Sequence, residues 1–113
     1  MSESANLPVS DIPGGTVTSP AGFLAAGVRA GLGQEGLDVA LLFSEVPATA
    51  AGVFTTSKVT AAPVQVSKRH LSGPTVRAIA ANSGNANACT GQPGLKAAER
   101  MCAIAAEALG VAT

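Results

Sequence analysis

The sequence predicts an α+β domain, several short strands followed by one amphipathic helix packed on the sheet, and three observations carry the prediction. Apolar stretches of strand length, broken by Gly and Pro, fill residues 16–81. The apolar period then changes to a helical one over residues 95–109. That change happens once, which disfavours an alternating βαβ chain and leaves a helix laid across one sheet face.

Residues 1–15 (MSESANLPVSDIPGG) read as a flexible leader with Pro and Gly punctuation, and residues 16–113 as one domain portion. From residue 16 to 28, short apolar pieces alternate with Pro20, Gly22 and Gly27, the pattern of short strands joined by turns. A polar stretch, Gly31-Leu32-Gly33-Gln34-Glu35-Gly36, leads into the nearly continuous apolar run of residues 37–43. A run of that length bounded by turn signals suits a strand buried on both faces. Pro47 ends it, and Gly52-Val53-Phe54-Thr55 begins another short strand. Val64-Gln65-Val66 alternates behind Pro63 at a strand start. After the Ser72-Gly73-Pro74 turn, residues 76–81 read as a strand again.

Leu95, Ala98, Cys102, Ala105 and Leu109 then fall on one face of a helix, with Lys96, Glu99, Arg100 and Glu107 on the other side. Pro93 suits a first helical turn, Thr90 is placed to cap the start, and Gly110 stands where helices commonly end.

The 113 residues suffice for one domain and not two. Charged residues make up only 12%, about half of ordinary usage. Such a surface is expected to be partly covered by more protein. Seven basic and seven acidic residues cancel, so there is no electrostatic footprint for nucleic acid or an anionic membrane. Lys68-Arg69-His70 is the nearest thing to a basic patch and reads as a solvated loop. Residues 1–10 lack a basic start and an apolar h-region, and no apolar run reaches membrane-helix length, so a cytoplasmic protein is expected. Cys89 and Cys102 read as ordinary thiols, with no disulfide or metal site expected.

Two stretches invite a functional reading. Residues 31–36 match the letters G-x-G-x-x-G, but that loop binds a dinucleotide only where it opens a helix, and here it opens a strand. The glycines then serve a strand-to-strand connection. The second stretch, Asn82-Ser83-Gly84-Asn85-Ala86-Asn87-Ala88-Cys89-Thr90-Gly91, lies between a strand and the helix. One reading is an internally hydrogen-bonded corner. The other is a site wall, with Asn82, Ser83, Gly84, Asn85, Asn87, Thr90 and Gly91 and a helix N-terminus offered to an anionic ligand. No catalytic set accompanies it: His70 is the single histidine, and Thr55, Thr56 and Ser57 have no visible base.

Several blocks, in order, resemble the ornithine acetyltransferase (glutamate N-acetyltransferase) family. They are Pro20-Ala21-Gly22-Phe23 with Ala26-Gly27-Val28, the strand from Leu37 to Leu42, Ala50-Ala51-Gly52-Val53-Phe54-Thr55-Thr56, Val59-Thr60-Ala61-Ala62-Pro63-Val64, and the Asn-rich block of residues 82–91. The resemblance implies acetyl transfer from N-acetylornithine to glutamate in arginine biosynthesis, with acetyl-CoA as a further substrate in some members and no cofactor. It implies a precursor that cuts itself at an Ala-Thr bond, a threonine nucleophile that carries the acetyl group, and a Thr-Gly oxyanion hole. It implies an assembly of two α–β pairs and a layered α/β fold like that of N-terminal-nucleophile enzymes. None of those catalytic residues matches a position here, so the chain by itself is expected to be inert and to need the C-terminal portion as its partner. Two alternatives stand beside this reading: an inert stand-alone module binding a partner or small anion through residues 82–91, and a piece of a secondary-metabolite acyltransferase.

Overall fold

The computed structural model describes residues 8–113; the first seven residues of the expected leader lie outside it. Five elements follow in the order β1 (Phe23–Val28), β2 (Val39–Ala48), α1 (Ala62–Leu71), β3 (Val76–Asn82) and α2 (Gly91–Leu109). The strands form one antiparallel sheet in the order β1-β2-β3. The register pairs Phe23 with Ser44 and Val28 with Val39 on one side of β2, and Val39 with Asn82 and Phe43 with Ala78 on the other.

The β2–β3 register shifts between Phe43 and Ala48. A break of this kind leaves carbonyls without ladder partners. Arg77 answers it from β3: its Nε donates to the Ser44 carbonyl at 3.0 Å and its Nη2 to that of Glu45 at 2.9 Å.

The α+β class holds, with two helices where one was expected. Residues 64–66 lie inside α1 and are no strand. A three-residue alternation is too short to fix a period, and Pro63 fits a first helical turn as well as a strand start. The spacing that decides is Ala62 to Val66, one helical turn, which buries both side chains against α2. Lys68, Arg69 and His70 are accordingly the last turn of α1 and form no loop, and the Lys68 and Arg69 cations there complement the helix dipole. Arg69 reaches across to Glu99 of α2 at 2.6 Å.

Residues 52–55 form no strand either. They pass over the end of α1, where Gly52 nears the Leu71 side chain and Lys68 stands 5.5 Å from the Phe54 ring centroid. The apolar run of residues 37–43 is also less buried than expected. Leu37 is 69% exposed ahead of the strand, and Val39, Leu41, Leu42 and Phe43 are half-buried, because the helices meet the sheet mainly through α2 against β3 and leave β2 largely uncovered.

The predicted stripe of α2 is real. Ala98 is buried on it and Leu95, Cys102, Ala105 and Leu109 are half-buried, with Gly94 and Ala106 adding buried positions. Gly110, at φ 67°, closes the helix in the left-handed conformation. The core lies between the helices: Ala62, Val66 and Ala98, with Leu95 and Cys102 packed against them. Val66, 2% exposed, is the largest side chain among the buried hydrophobics. Leu24 and Val28 on edge strand β1 and Ile79 on β3 remain more than half exposed. The sparse charge thus accompanies an apolar surface left open on the sheet.

Candidate functional site

The corner of residues 82–91 begins where the β2–β3 ladder ends. The Ser83 amide donates to the Asp38 carbonyl at 2.9 Å, carrying the pairing one step past Asn82. Gly84 follows at φ 91°. A side chain there would stand 2.9 Å from the Gly33 nitrogen and 3.0 Å from its Cα. Both are backbone atoms, so only glycine fits between the two loops.

Asn87 ties the corner to both helices. Its carbonyl accepts the Ala62 amide at 3.3 Å where α1 begins. Its Nδ2 donates to the Gly94 carbonyl in the first turn of α2 at 2.8 Å. The Thr90 hydroxyl hydrogen-bonds to Asn87 Oδ1. Thr90 is therefore no conventional cap. Its ψ of 0° departs from the extended backbone that aims a cap hydroxyl at the first amides, and it makes no side-chain cap bond. Cys89 at φ 55° and Gly91 at φ 64° turn the chain into the helix.

The seven candidate residues thus divide. Asn87, Thr90, Gly84 and Gly91 build the corner. Asn82, Ser83 and Asn85 are exposed along it, and Asn82, Asn85, Asn87 and Thr90 line a groove of about 620 Å³ between β3 and the two helices. Ala80 and Ala81 floor the groove, and Val66, Ala98 and Met101 wall it. Its polar groups are amides and hydroxyls, with no charged side chain. A second trough of about 770 Å³, with Arg69, His70 and Arg77, continues along β3 and shares Ala80 and Cys102 with the first.

Such a groove can bind and orient an uncharged polar group, but it has no acid–base pair. The Cys102 thiol on its wall is pushed up by burial against a smaller opposing pull from Arg69, so it stays protonated and a poor nucleophile. Both cysteines are free. Among the described residues no cluster of three or more His, Cys, Asp or Glu side chains could hold a metal ion.

Sequence reasoning missed Asp38. It sits in an apolar run, yet it is 4% exposed and forms the centre of the neighbouring loop. Its carboxylate accepts the amides of Ala30 at 2.5 Å, Leu32 at 2.7 Å and Gly33 at 3.0 Å. These amides, Ala30 first and then Gly33, hold the carboxyl below its ordinary value, against a smaller push from burial. The loop of residues 31–36 joins β1 to β2 and opens no helix. Its amides already bind an anion, the chain's own carboxylate. An acidic residue two places after a Gly-rich loop was the available signal.

The ArgJ family model matches residues 24–113. This chain belongs to the ArgJ family. The arginine biosynthesis bifunctional protein ArgJ of Symbiobacterium thermophilum is 52% identical over 100 residues, 86% of this chain and 25% of that protein. Its counterpart in Shouchella clausii is 46% identical over 99 residues, 86% of this chain and 24% of that one. Among solved structures, the arginine biosynthesis bifunctional protein of Bacillus halodurans superposes with a TM-score of 0.86 at 39% identity, covering 89% of this chain and 53% of that one. The ornithine acetyltransferase of Mycobacterium tuberculosis, solved with ornithine, gives a TM-score of 0.71 at 50% identity over 74% of this chain and 45% of that one. The ArgJ segment therefore spans about a quarter of the length of the curated relatives it matches.

Proposed function

We propose that this chain is the N-terminal part of a bifunctional ornithine acetyltransferase and glutamate N-acetyltransferase of arginine biosynthesis, working in the cytoplasm. The observation that carries the reading is the match of residues 24–113 to the ArgJ family, alongside an ornithine acetyltransferase at 50% identity. The chemistry is a two-step acyl transfer. A threonine hydroxyl attacks the acetyl carbonyl of N-acetylornithine, its proton passes to the threonine's own α-amine, and ornithine leaves as the protonated amine. The glutamate amine then attacks the acetyl-threonine ester, takes the acetyl group and restores the hydroxyl. A Thr-Gly pair stabilises the oxyanion in both steps. Acetyl-CoA serves as a second acetyl donor, and no cofactor takes part.

The nucleophile and the oxyanion pair belong to the remaining portion of the enzyme, and so does the Ala-Thr bond whose self-cleavage frees the threonine. Lengths among the relatives support two pieces. The aligned stretch is 25% of the Symbiobacterium protein but 53% of the solved Bacillus halodurans chain, so that solved chain is about half as long. Two such pairs complete the assembly. The open apolar positions Leu24, Val28 and Ile79 support a segment covered by its partner over a stand-alone module.

In this reading residues 82–91 wall the active site, with Asn85 presented to the groove and Asn87 holding the corner. The test is the full-length enzyme carrying this segment, assayed for acetyl transfer from N-acetylornithine to glutamate. Mass spectrometry should find the acetyl group on the threonine. Asn85→Ala should lower kcat about tenfold or more with the melting temperature retained. Unchanged kinetics and melting would remove the corner from the site, and no acetyl transfer would remove the enzyme assignment.

A further inference from the structure

The two glycine-rich stretches of the sequence, far apart in the chain, meet in the structure, and one residue joins them. The Asp38 side chain gathers the amides of Ala30, Leu32 and Gly33. Its carbonyl accepts the amide of Ser83 at 2.9 Å. Between these anchors Gly33 and Gly84 touch backbone to backbone, with no room for a side chain. The loop is therefore a brace for the corner. It cannot move toward the corner without displacing residues 83–85, because no side-chain-sized gap separates Gly33 from Gly84, and Asp38 ties it from moving away. Asp38 is buried and Asn85 is exposed toward the groove, so a displaced loop would be felt where a substrate would lie.

We infer that Asp38 is a positioning residue of the acetyl-transfer site, fixing the Asn85 corner through the 31–36 loop. The inference rests on the corner's being a wall of that site. Asp38 touches no substrate. It acts by closing three amides on one carboxylate, which sets the loop against Gly84 and so sets the corner. A misplacement of about 1 Å at such a wall costs up to about a hundredfold in rate.

The test uses the full-length acetyltransferase carrying this segment, with rates expressed per folded molecule. Asp38→Ala empties a three-amide nest of carboxylate size, and formate is the probe that refills it. The expected result is a kcat lowered between about tenfold and a hundredfold with KM little changed, and substantially recovered in formate. Asp38→Asn fills the nest with a group that turns an N–H donor against one of the amides. It should lose rate and gain nothing from formate. The double variant with Asn85→Ala should be no slower than the worse single variant, since both act through one corner.

A wild-type kcat in folded Asp38→Ala, or a loss that formate leaves untouched, would overturn the inference. Should Asp38→Ala fail to fold, wild-type kcat in Asp38→Asn would overturn it equally, and a lowered one would support it. If Asn85→Ala is itself silent, the reading of the corner as a site wall fails. If Asn85→Ala is slow and Asp38→Ala is not, only the positioning role fails.

Discussion

Gly94→Ala sets two well-measured effects against each other at the start of α2. An alanine in a helix interior is favoured over glycine by about 1 kcal/mol, so helix propensity alone predicts a more stable protein. The structure predicts the reverse. Gly94 is buried, and a β-carbon there would strike the Thr90 hydroxyl and Asn87 Oδ1 and lie 2.5 Å from Thr90 Cβ. The hydroxyl and the amide could swing away, at the loss of the Asn87–Gly94 and Thr90–Asn87 bonds, each about 1 kcal/mol net. The Thr90 Cβ is fixed to the backbone and can retreat only with the corner, which adds an overpacking cost of about 1–3 kcal/mol. After the gain in propensity, a destabilisation of about 2–4 kcal/mol remains. In a full-length enzyme about four times as long as this segment, that lowers the melting temperature by a few degrees. Urea unfolding followed by helical circular dichroism, wild type beside variant, measures it. A variant more stable by about 1 kcal/mol would refute the reasoning, since it would mean that the corner yields freely.

Three further outcomes are expected. Val66→Ala, at the deepest side chain of a core otherwise made largely of alanines, should cost about 1.5–3 kcal/mol, read in the same urea titration. Cys89 is exposed and Cys102 half-buried. With its thiol pushed up by burial, Cys102 should react with iodoacetamide much more slowly than Cys89 at neutral pH, as peptide mass spectrometry would show. The depressed carboxyl of Asp38 makes its contribution to stability fully present above its ordinary value of 3.8. That contribution is lost as pH falls past this value toward the lower folded one. Acid titration should accordingly release the Ala30, Leu32 and Gly33 amides to hydrogen exchange in wild type, with a smaller pH response in Asp38→Asn.

The elements were legible in proportion to how local their causes are. Helix α2 was read from the spacing of Leu95 to Leu109 and its stop at Gly110, because helical periodicity is written within a few residues. The strand at residues 76–81 and the loop-to-strand change after Gly36 were equally plain. Helix α1 was misread because the alternation of Val64 and Val66 covers less than one helical turn. What settles its state is burial of Ala62 and Val66 against a helix 30 residues further on. The expected strand at residues 52–55 failed for a similar reason. Its apolar residues pack at the end of α1 instead of pairing along a sheet edge.

For the site, sequence singled out residues 82–91 as unusual and fixed the family to which they belong, since ordered motif blocks need no geometry to be recognised. It could not show that Asn87 and Thr90 build the corner while lining the same groove as Asn85. Nor was Asp38 read from it, although its amide partners Ala30, Leu32 and Gly33 all lie in or next to the Gly-rich stretch just before it. By itself, then, the sequence determined the class, the main helix and the family. The tertiary structure alone decided that Asp38 binds three amides while its carbonyl holds Ser83, and that Gly33 and Gly84 touch. The amide nest closes within the connection from β1 to β2, but the Ser83 and Gly84 contacts exist only after β2 and β3 pair in register, and pairing between distant segments is set by the whole sheet rather than by any local pattern.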